Sequence, residues 1–266
     1  MKKVFLGVGH GGNDPGAVGY IKEADVNLNM ALACRDYLVA NGVEVKMSRI
    51  KDENDDLNEE IRECNEYNPD LAVDIHNNAG GGDGFEVYHS IFKGTGITLA
   101  QNIEKEVVAM GQNSRGCKSR KTTKGNYDYY GFIRDTKAPA VICEGVFVDN
   151  KEDSEQADTL EEQKAFGIAY AKGILKTLGI EETNTPITDN NVVKEEDDFE
   201  MKIYQNGSTQ EIVYADTNCT IKIGSLNPRE KCDCFGEFNN RAMVRYKIDG
   251  TNNYKIGFCK WLGGIR

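Results

Sequence analysis

Short apolar runs alternate along the chain with longer stretches of helical periodicity, and the alternation predicts most of its elements. Val4 to Val8, Leu71 to Ile75 and Pro139 to Cys143 are brief and almost wholly apolar, as strands buried on both faces are. Val43 to Met47 alternates, and Gly84 to Ser90 reads as a further strand. Val26, Met30, Ala33, Tyr37 and Leu38 recur at helical spacing in a helix opened by Glu23 and closed by Asn41-Gly42. Leu99, Ile103, Val107 and Met110 mark one face of a helix from Ile97 to Gln112. Ala165, Ile168, Ala169, Ala171, Ile174, Leu175 and Leu178 mark the inner face of a long helix after Asn150. Asp55 to Tyr67 is a polar helix capped near Asn54, and Gly116 to Gly131 is a loop rich in Lys, Arg, Asn and Tyr. The fold class expected is α/β, a twisted and mostly parallel sheet with helices on both faces.

The texture changes after residue 179. Residues 180–199 hold Pro186, several Asn and Thr, and the acidic run Glu195 to Asp198, so they have little to bury and read as a linker. Residues 200–266 read as a small all-β domain. Ile212 to Tyr214, Cys219 to Ile223, Arg241 to Ile248 and Tyr254 to Phe258 are its short strands, separated by Asn-Gly, Asn-Pro and Asp-Gly turn signals.

Composition narrows the function classes. The chain has 266 residues, 28% of them charged, and a net charge of −11. That balance argues against nucleic acid as a partner, since phosphate binding needs concentrated Lys and Arg. The charge is uneven: residues 1–180 carry −8, residues 181–200 carry −7 and residues 201–266 carry +4. No apolar run has membrane-spanning length, and no membrane partner is expected. The apolar run near the N-terminus is broken at His10 to Asp14 and lacks a small-residue cleavage site, so the chain is expected to begin in the cytoplasm. Eight scattered cysteines are expected as buried free thiols, and Cys232-Asp233-Cys234 lacks the spacing of a zinc knuckle.

The candidate chemistry lies where apolar strands meet polar loops. His10 and His76 each follow such a strand and open a loop rich in Gly and Asn, at the rim where open α/β sheets place ligands. Glu23 begins the first helix, across the loop from His10, and Glu144 follows a third apolar strand. Two histidines and a carboxylate suit a catalytic zinc ion, and a second carboxylate suits a general base. Taken singly these residues have plainer readings: a loop hydrogen-bonder, a helix N-terminal acid and an ion-pair partner. His89, on an alternating strand, reads as structural or exposed.

These residues sit in a recognisable series of motifs. His10-Gly11-Gly12-Asn13-Asp14-Pro15-Gly16-Ala17, Glu23-Ala24-Asp25-Val26-Asn27-Leu28, Ser48-Arg49 and His76-Asn77-Asn78-Ala79 follow in order. Glu144-Gly145-Val146-Phe147 closes a Pro-Ala-Val strand, with Asn150 and Asp153 beyond it. Together residues 1–178 resemble the zinc-dependent N-acetylmuramoyl-L-alanine amidases of the amidase-3 type. The sequence departs from that pattern in having Ser for Thr before Arg49 and no small residue between Glu144 and Gly145.

The resemblance implies hydrolysis of the amide joining N-acetylmuramic acid to L-alanine in peptidoglycan. It implies His10, Glu23 and His76 as zinc ligands and Glu144 as the catalytic base. Asn78 and the 116–131 loop are the candidates for substrate contact. The basic tail resembles the wall-binding modules of clostridial phage endolysins and autolysins, in particular at Asn227-Pro228-Arg229 and Trp261 to Gly264. Anionic wall polymers are its expected partners, with self-association as a further expectation, and Met201 is placed to start a separate copy of it. The expected role is a phage endolysin, held in the cytoplasm of the infected bacterium until lysis and then acting on the wall. The alternatives are a host autolysin, a zinc peptidase on wall peptides, a cytosolic hydrolase of small amides, and a non-catalytic wall-binding protein.

Overall fold

The structure, a computed structural model, describes residues 1–182, 202–214, 222–238, 241–247 and 254–260. The chain forms two compact units, residues 1–193 and 194–266. In the first, β1 (Lys3–Val8), α1 (Glu23–Ala40), β2 (Glu44–Met47), α2 (Leu57–Tyr67), β3 (Leu71–Asn78) and β4 (Phe85–His89) are followed by α3 (Thr95–Ala109), β5 (Ser114–Lys118), α4 (Gly131–Asp135), β6 (Ala140–Phe147), α5 (Lys151–Ser154) and α6 (Leu160–Leu178). The sheet order is β2-β1-β3-β6-β4-β5. β1, β2, β3 and β6 are mutually parallel, β4 runs antiparallel to β6, and β5 runs parallel to β4.

Strand parity assigns each side chain to a face of this sheet. Val73, Ile75, Phe85, Val87, Val141 and Cys143 join the core beneath α1, α3 and α6. Phe5, Ala72, Ala140 and Ile142 join the smaller core under α2 and α4. Asp74, His76, Glu86 and Glu144 share the parity of the second set, so all four fall on the α2 and α4 side.

Several elements differ from the sequence expectation. β3 continues through His76 to Asn78, so this histidine lies within the strand and not in a loop. Glu144 likewise lies inside β6. The first residues of the expected 116–131 loop belong to β5, an edge strand that its polar composition concealed. α2 begins at Leu57 because Asp56, not Asn54, accepts the N–H groups of Asn58 and Glu59. Met110 lies past the end of α3 and is 38% exposed. On α6, Ala165 and Ile168 are only half-buried, while Phe166 and Tyr170 are fully buried. Cys34, Cys64, Cys117 and Cys143 carry free thiols.

Asp153 ties the loop after β6 to the sheet. It is 1% exposed, and its carboxylate accepts the N–H groups of Gly84 (2.9 Å) and Phe147 (2.7 Å) and the Gln112 side-chain amide (2.6 Å). Asp153→Ala leaves two buried N–H groups without acceptors, at about 1–3 kcal/mol each. The expected loss of unfolding free energy is about 4 kcal/mol, read from the denaturant midpoint at constant m.

The second unit is one antiparallel sheet of β7 (Lys202–Gln205), β8 (Glu211–Tyr214), β9 (Lys222–Leu226), β10 (Lys231–Phe238), β11 (Arg241–Lys247) and β12 (Tyr254–Cys259), in the order β7-β10-β11-β12-β8-β9. Its described core is Tyr204, Val213, Leu226, Ala242, Val244, Tyr246 and Cys259. β7, only four residues long, and β10, with charges at Lys231, Asp233 and Glu237, were not expected from the sequence. Cys219, Met201, Trp261 to Gly264 and most of the expected linker lie outside the described residues.

Candidate active site

Glu23 is the centre of the site. As the first residue of α1 it turns its carboxylate inward, where it is 4% exposed. Oε1 lies 3.3 Å from His10 Nε2 and 3.1 Å from His76 Nδ1. The Asn77 backbone N–H also donates to Oε1 (3.1 Å), and that of Ala17 to Oε2 (2.8 Å). The rings of His10 and His76 stand edge to face with centroids 5.1 Å apart.

Each imidazole is oriented from behind by a carboxylate. His10 Nδ1 donates to Asp14 (2.8 Å), which leaves Nε2 facing Glu23. His76 Nε2 lies 3.3 Å from Asp74, which leaves Nδ1 facing Glu23. Behind Asp74, burial pushes the Glu60 carboxyl well up and favours its neutral form. Burial also raises the pKa of Glu23, but hydrogen bonds from the two imidazoles outweigh it and hold the group well below the usual carboxylate range. Burial lowers the pKa of His76, and Asp74 and Glu23 more than offset it; the bond to Glu23 is the leading cause that raises that of His10. The cluster therefore favours positive charge at its centre.

The three donor atoms lie within 4.8 Å of one another. Ligands at about 2.0–2.1 Å in a tetrahedral zinc site stand about 3.3 Å apart, which matches the separations from Glu23 Oε1. The donor set also matches a three-ligand catalytic zinc site.

Backbone geometry makes room for the cluster. A Cβ on Gly9 would lie 2.1 Å from the His76 ring, so only glycine fits beneath it. His10 itself has φ of 64°, a strained value outside glycine, held by paired backbone hydrogen bonds between Gly11 and Asp14.

Asn27 and Asn77, neither assigned a role from sequence, lock the strands together. Asn27 Nδ2 donates to Gly9 O (2.9 Å), Asn77 Nδ2 to Asn27 Oδ1 (2.7 Å), and Val146 N to Asn77 Oδ1 (2.9 Å). This chain of bonds fixes β1, α1, β3 and β6 relative to one another. The asparagine in the motif after Glu23 was the available signal. Arg49 is 2% exposed and donates to the carbonyls of Val8, Gly9 and Ala24, so the Ser48-Arg49 motif is structural.

Glu144 is the register partner of His76 across β3 and β6. Burial, with Glu23, Asp74 and Glu86 nearby, raises its pKa to about 7 against the opposing effect of His76. A carboxylate so placed can accept a proton near neutrality. β6 bulges immediately after it, where a Cβ on Gly145 would lie 2.6 Å from Asn77 Oδ1.

Asn78 lies at the end of β3, two residues beyond His76, with its side-chain oxygen on the Ala79 N–H (2.9 Å). Thr122, Thr123, Lys124, Tyr127 and Tyr129 of the 116–131 loop line a surface hollow of about 660 Å³ with Arg134. His89 is buried and donates to the Ser90 carbonyl (2.9 Å), a structural role.

Residues 4–176 match the protein family described as N-acetylmuramoyl-L-alanine amidase (Amidase_3). The chain belongs to this amidase family. It is 32% identical over 190 residues to the sporulation-specific N-acetylmuramoyl-L-alanine amidase of Bacillus subtilis strain 168, covering 70% of this chain and 71% of that protein. It is 31% identical over 191 residues to the endolysin of Bacillus phage SPP1, covering 67% of each. The catalytic domain of the amidase CwlV from Bacillus (Paenibacillus) polymyxa var. colistinus superposes with a TM-score of 0.61 at 28% identity, over 68% of this chain and all of that domain. The enzyme is thus an N-acetylmuramoyl-L-alanine amidase, a hydrolase whose substrate is peptidoglycan. No helix among its described residues is long and apolar enough to cross a membrane.

Proposed function

We propose that the amidase is zinc-dependent and serves as a phage endolysin. The observation that carries the zinc assignment is the convergence of His10, Glu23 and His76 on one point beside Glu144. His10 Nε2, a Glu23 oxygen and His76 Nδ1 would hold the ion. Bound zinc would polarise the scissile carbonyl and acidify water. Asp14 and Asp74 keep the two rings turned toward the centre. Glu144 takes a proton from the attacking water and passes it to the leaving amide nitrogen, so that a neutral amine departs. Asn78, at the rim, contacts the substrate in this reading.

The endolysin role is supported by the similarity to the phage SPP1 endolysin and by the separate all-β unit, read as a wall-binding module that holds the enzyme near its polymer substrate. A host autolysin is the second reading, favoured by the similarity to the sporulation-specific amidase. Digestion of purified peptidoglycan is expected to release stem peptides with a free L-alanine N-terminus, and the purified protein to carry one zinc per chain. Cuts inside the stem would indicate a peptidase instead. For the endolysin role, expression inside a susceptible bacterium is expected to cause lysis only when a membrane-permeabilising protein is added. Lysis without it would favour the autolysin.

A further inference from the structure

Beyond Glu144 the face of the sheet carries a second cluster of charge that hydrolysis does not use. Glu86 on β4 is the register partner of Glu144 on β6. Such antiparallel partners project from the same face with Cβ atoms about 4.5–5.5 Å apart. The Glu86 carboxylate is buried, and β5 brings two cations to it. Arg115 donates to it through Nε, and Lys118 Nζ lies 2.6 Å away. Tyr88 donates its hydroxyl to the other oxygen at 2.9 Å. One buried carboxylate thus holds two cations beside the catalytic rim, with Asp83 a further acid near Arg115.

Arg115 is built for recognition. Its side chain is 40% exposed, and its guanidinium lies 5.1 Å from the Phe147 ring centroid, at the end of the strand that carries Glu144. Only Nε is engaged by hydrogen bonding among the described residues, so both terminal nitrogens keep their N–H groups. An arginine oriented at its neck and stacked on an aromatic ring presents a pre-set fork to a carboxylate.

We propose that Arg115, supported by Lys118, determines substrate specificity by binding the α-carboxylate of the D-glutamyl residue that follows L-alanine in the stem peptide. The proposal rests on the amidase reading of the site. Successive strands β3, β6, β4 and β5 carry His76, Glu144, Glu86 and the two cations in that order. With the scissile carbonyl at the His76 end, the leaving nitrogen lies at Glu144 and the peptide runs out across β4. A carboxylate one residue past the scissile nitrogen lies about 6 Å from it, a little more than the one strand spacing that separates β6 from β4, where the Glu86 carboxylate holds the head groups that Arg115 and Lys118 extend from β5. The sugar side of the scissile bond is uncharged and offers these cations nothing comparable.

The test uses the full-length zinc-loaded enzyme and two soluble N-acetylmuramoyl tripeptides. They differ only in whether the second residue is D-glutamate or D-isoglutamine, whose α-carboxylate is replaced by a carboxamide. The wild type is expected to prefer the carboxylate in kcat/KM by ten- to a hundredfold, mostly through KM. Arg115→Ala should bring that ratio close to one, with Arg115→Lys retaining part of it. Equal kcat/KM values for the wild type on the two substrates would overturn the proposal, as would a ratio that persists in Arg115→Ala. Cleavage of neither substrate by the wild type would instead sink the amidase reading and the proposal with it.

Discussion

Glu144→Gln is expected to lower kcat on muropeptides by roughly 10²–10⁴-fold while the bound zinc and KM stay nearly constant. Glutamine preserves the shape of the side chain and removes only its capacity to accept a proton. Glu144 stands outside the three-donor cluster, so its loss takes no ligand from the ion. Its position beside His76, and a pKa raised to about 7 by burial and neighbouring carboxylates, suit it to cycle a proton between water and the leaving nitrogen. Steady-state kinetics and metal analysis on the same preparation check the prediction. Zinc lost in parallel with rate would make Glu144 a ligand instead of a base.

His76→Ala is expected to reduce zinc affinity by more than 10²-fold, since loss of an outer-shell partner alone costs 10- to 100-fold, and to abolish turnover. The variant removes one donor of three and also strips Asp74 of the imidazole 3.3 Å from it. The apo variant is therefore expected to melt below the apo wild type, because a buried carboxylate loses its partner. Zinc titration against a chromophoric chelator, with thermal unfolding of both apo proteins, separates the two effects. Wild-type zinc affinity in His76→Ala would remove this residue from the metal site.

The parts of the fold legible in the sequence are those in which one element records its own environment. β1, β3 and β6 are apolar on both faces because helices cover both faces of the sheet, and the sequence carries that directly. α1 is recognisable for the same reason, through Val26, Met30 and Leu38 on its buried side. β5 and β7 are not, since edge strands take polar residues and their identity depends on which neighbour they pair with; β10 escapes notice because Lys231, Asp233 and Glu237 interrupt its apolar residues. Met110 keeps helical spacing in sequence, yet the helix ends before it.

The candidate site divides along the same line. His10, Glu23, His76 and Glu144 stand out because rare or charged residues adjoin apolar runs, and the series of motifs around them narrows the reading further. Asn77 gave no such sign. Its importance comes from bonds to Glu23, Asn27 and Val146, residues remote from it along the chain. Glu86 and Arg115 were equally silent, because an acid on one strand and a base on the next look like ordinary surface charge until register sets the acid beside Glu144 and the base on that acid.

The sequence by itself determined the α/β class of the first unit, the all-β texture of the second, the amidase motifs and the four residues expected to carry the chemistry. Each of these is written in local patterns of hydropathy, turn residues and spacing. Only the tertiary structure decided that His10, Glu23 and His76 meet within 4.8 Å, that carboxylates turn both rings inward, and that two cations from the second strand beyond the base gather on Glu86, its register partner. Those facts depend on strand order and register, which are set by packing between segments tens of residues apart, and no local pattern encodes them.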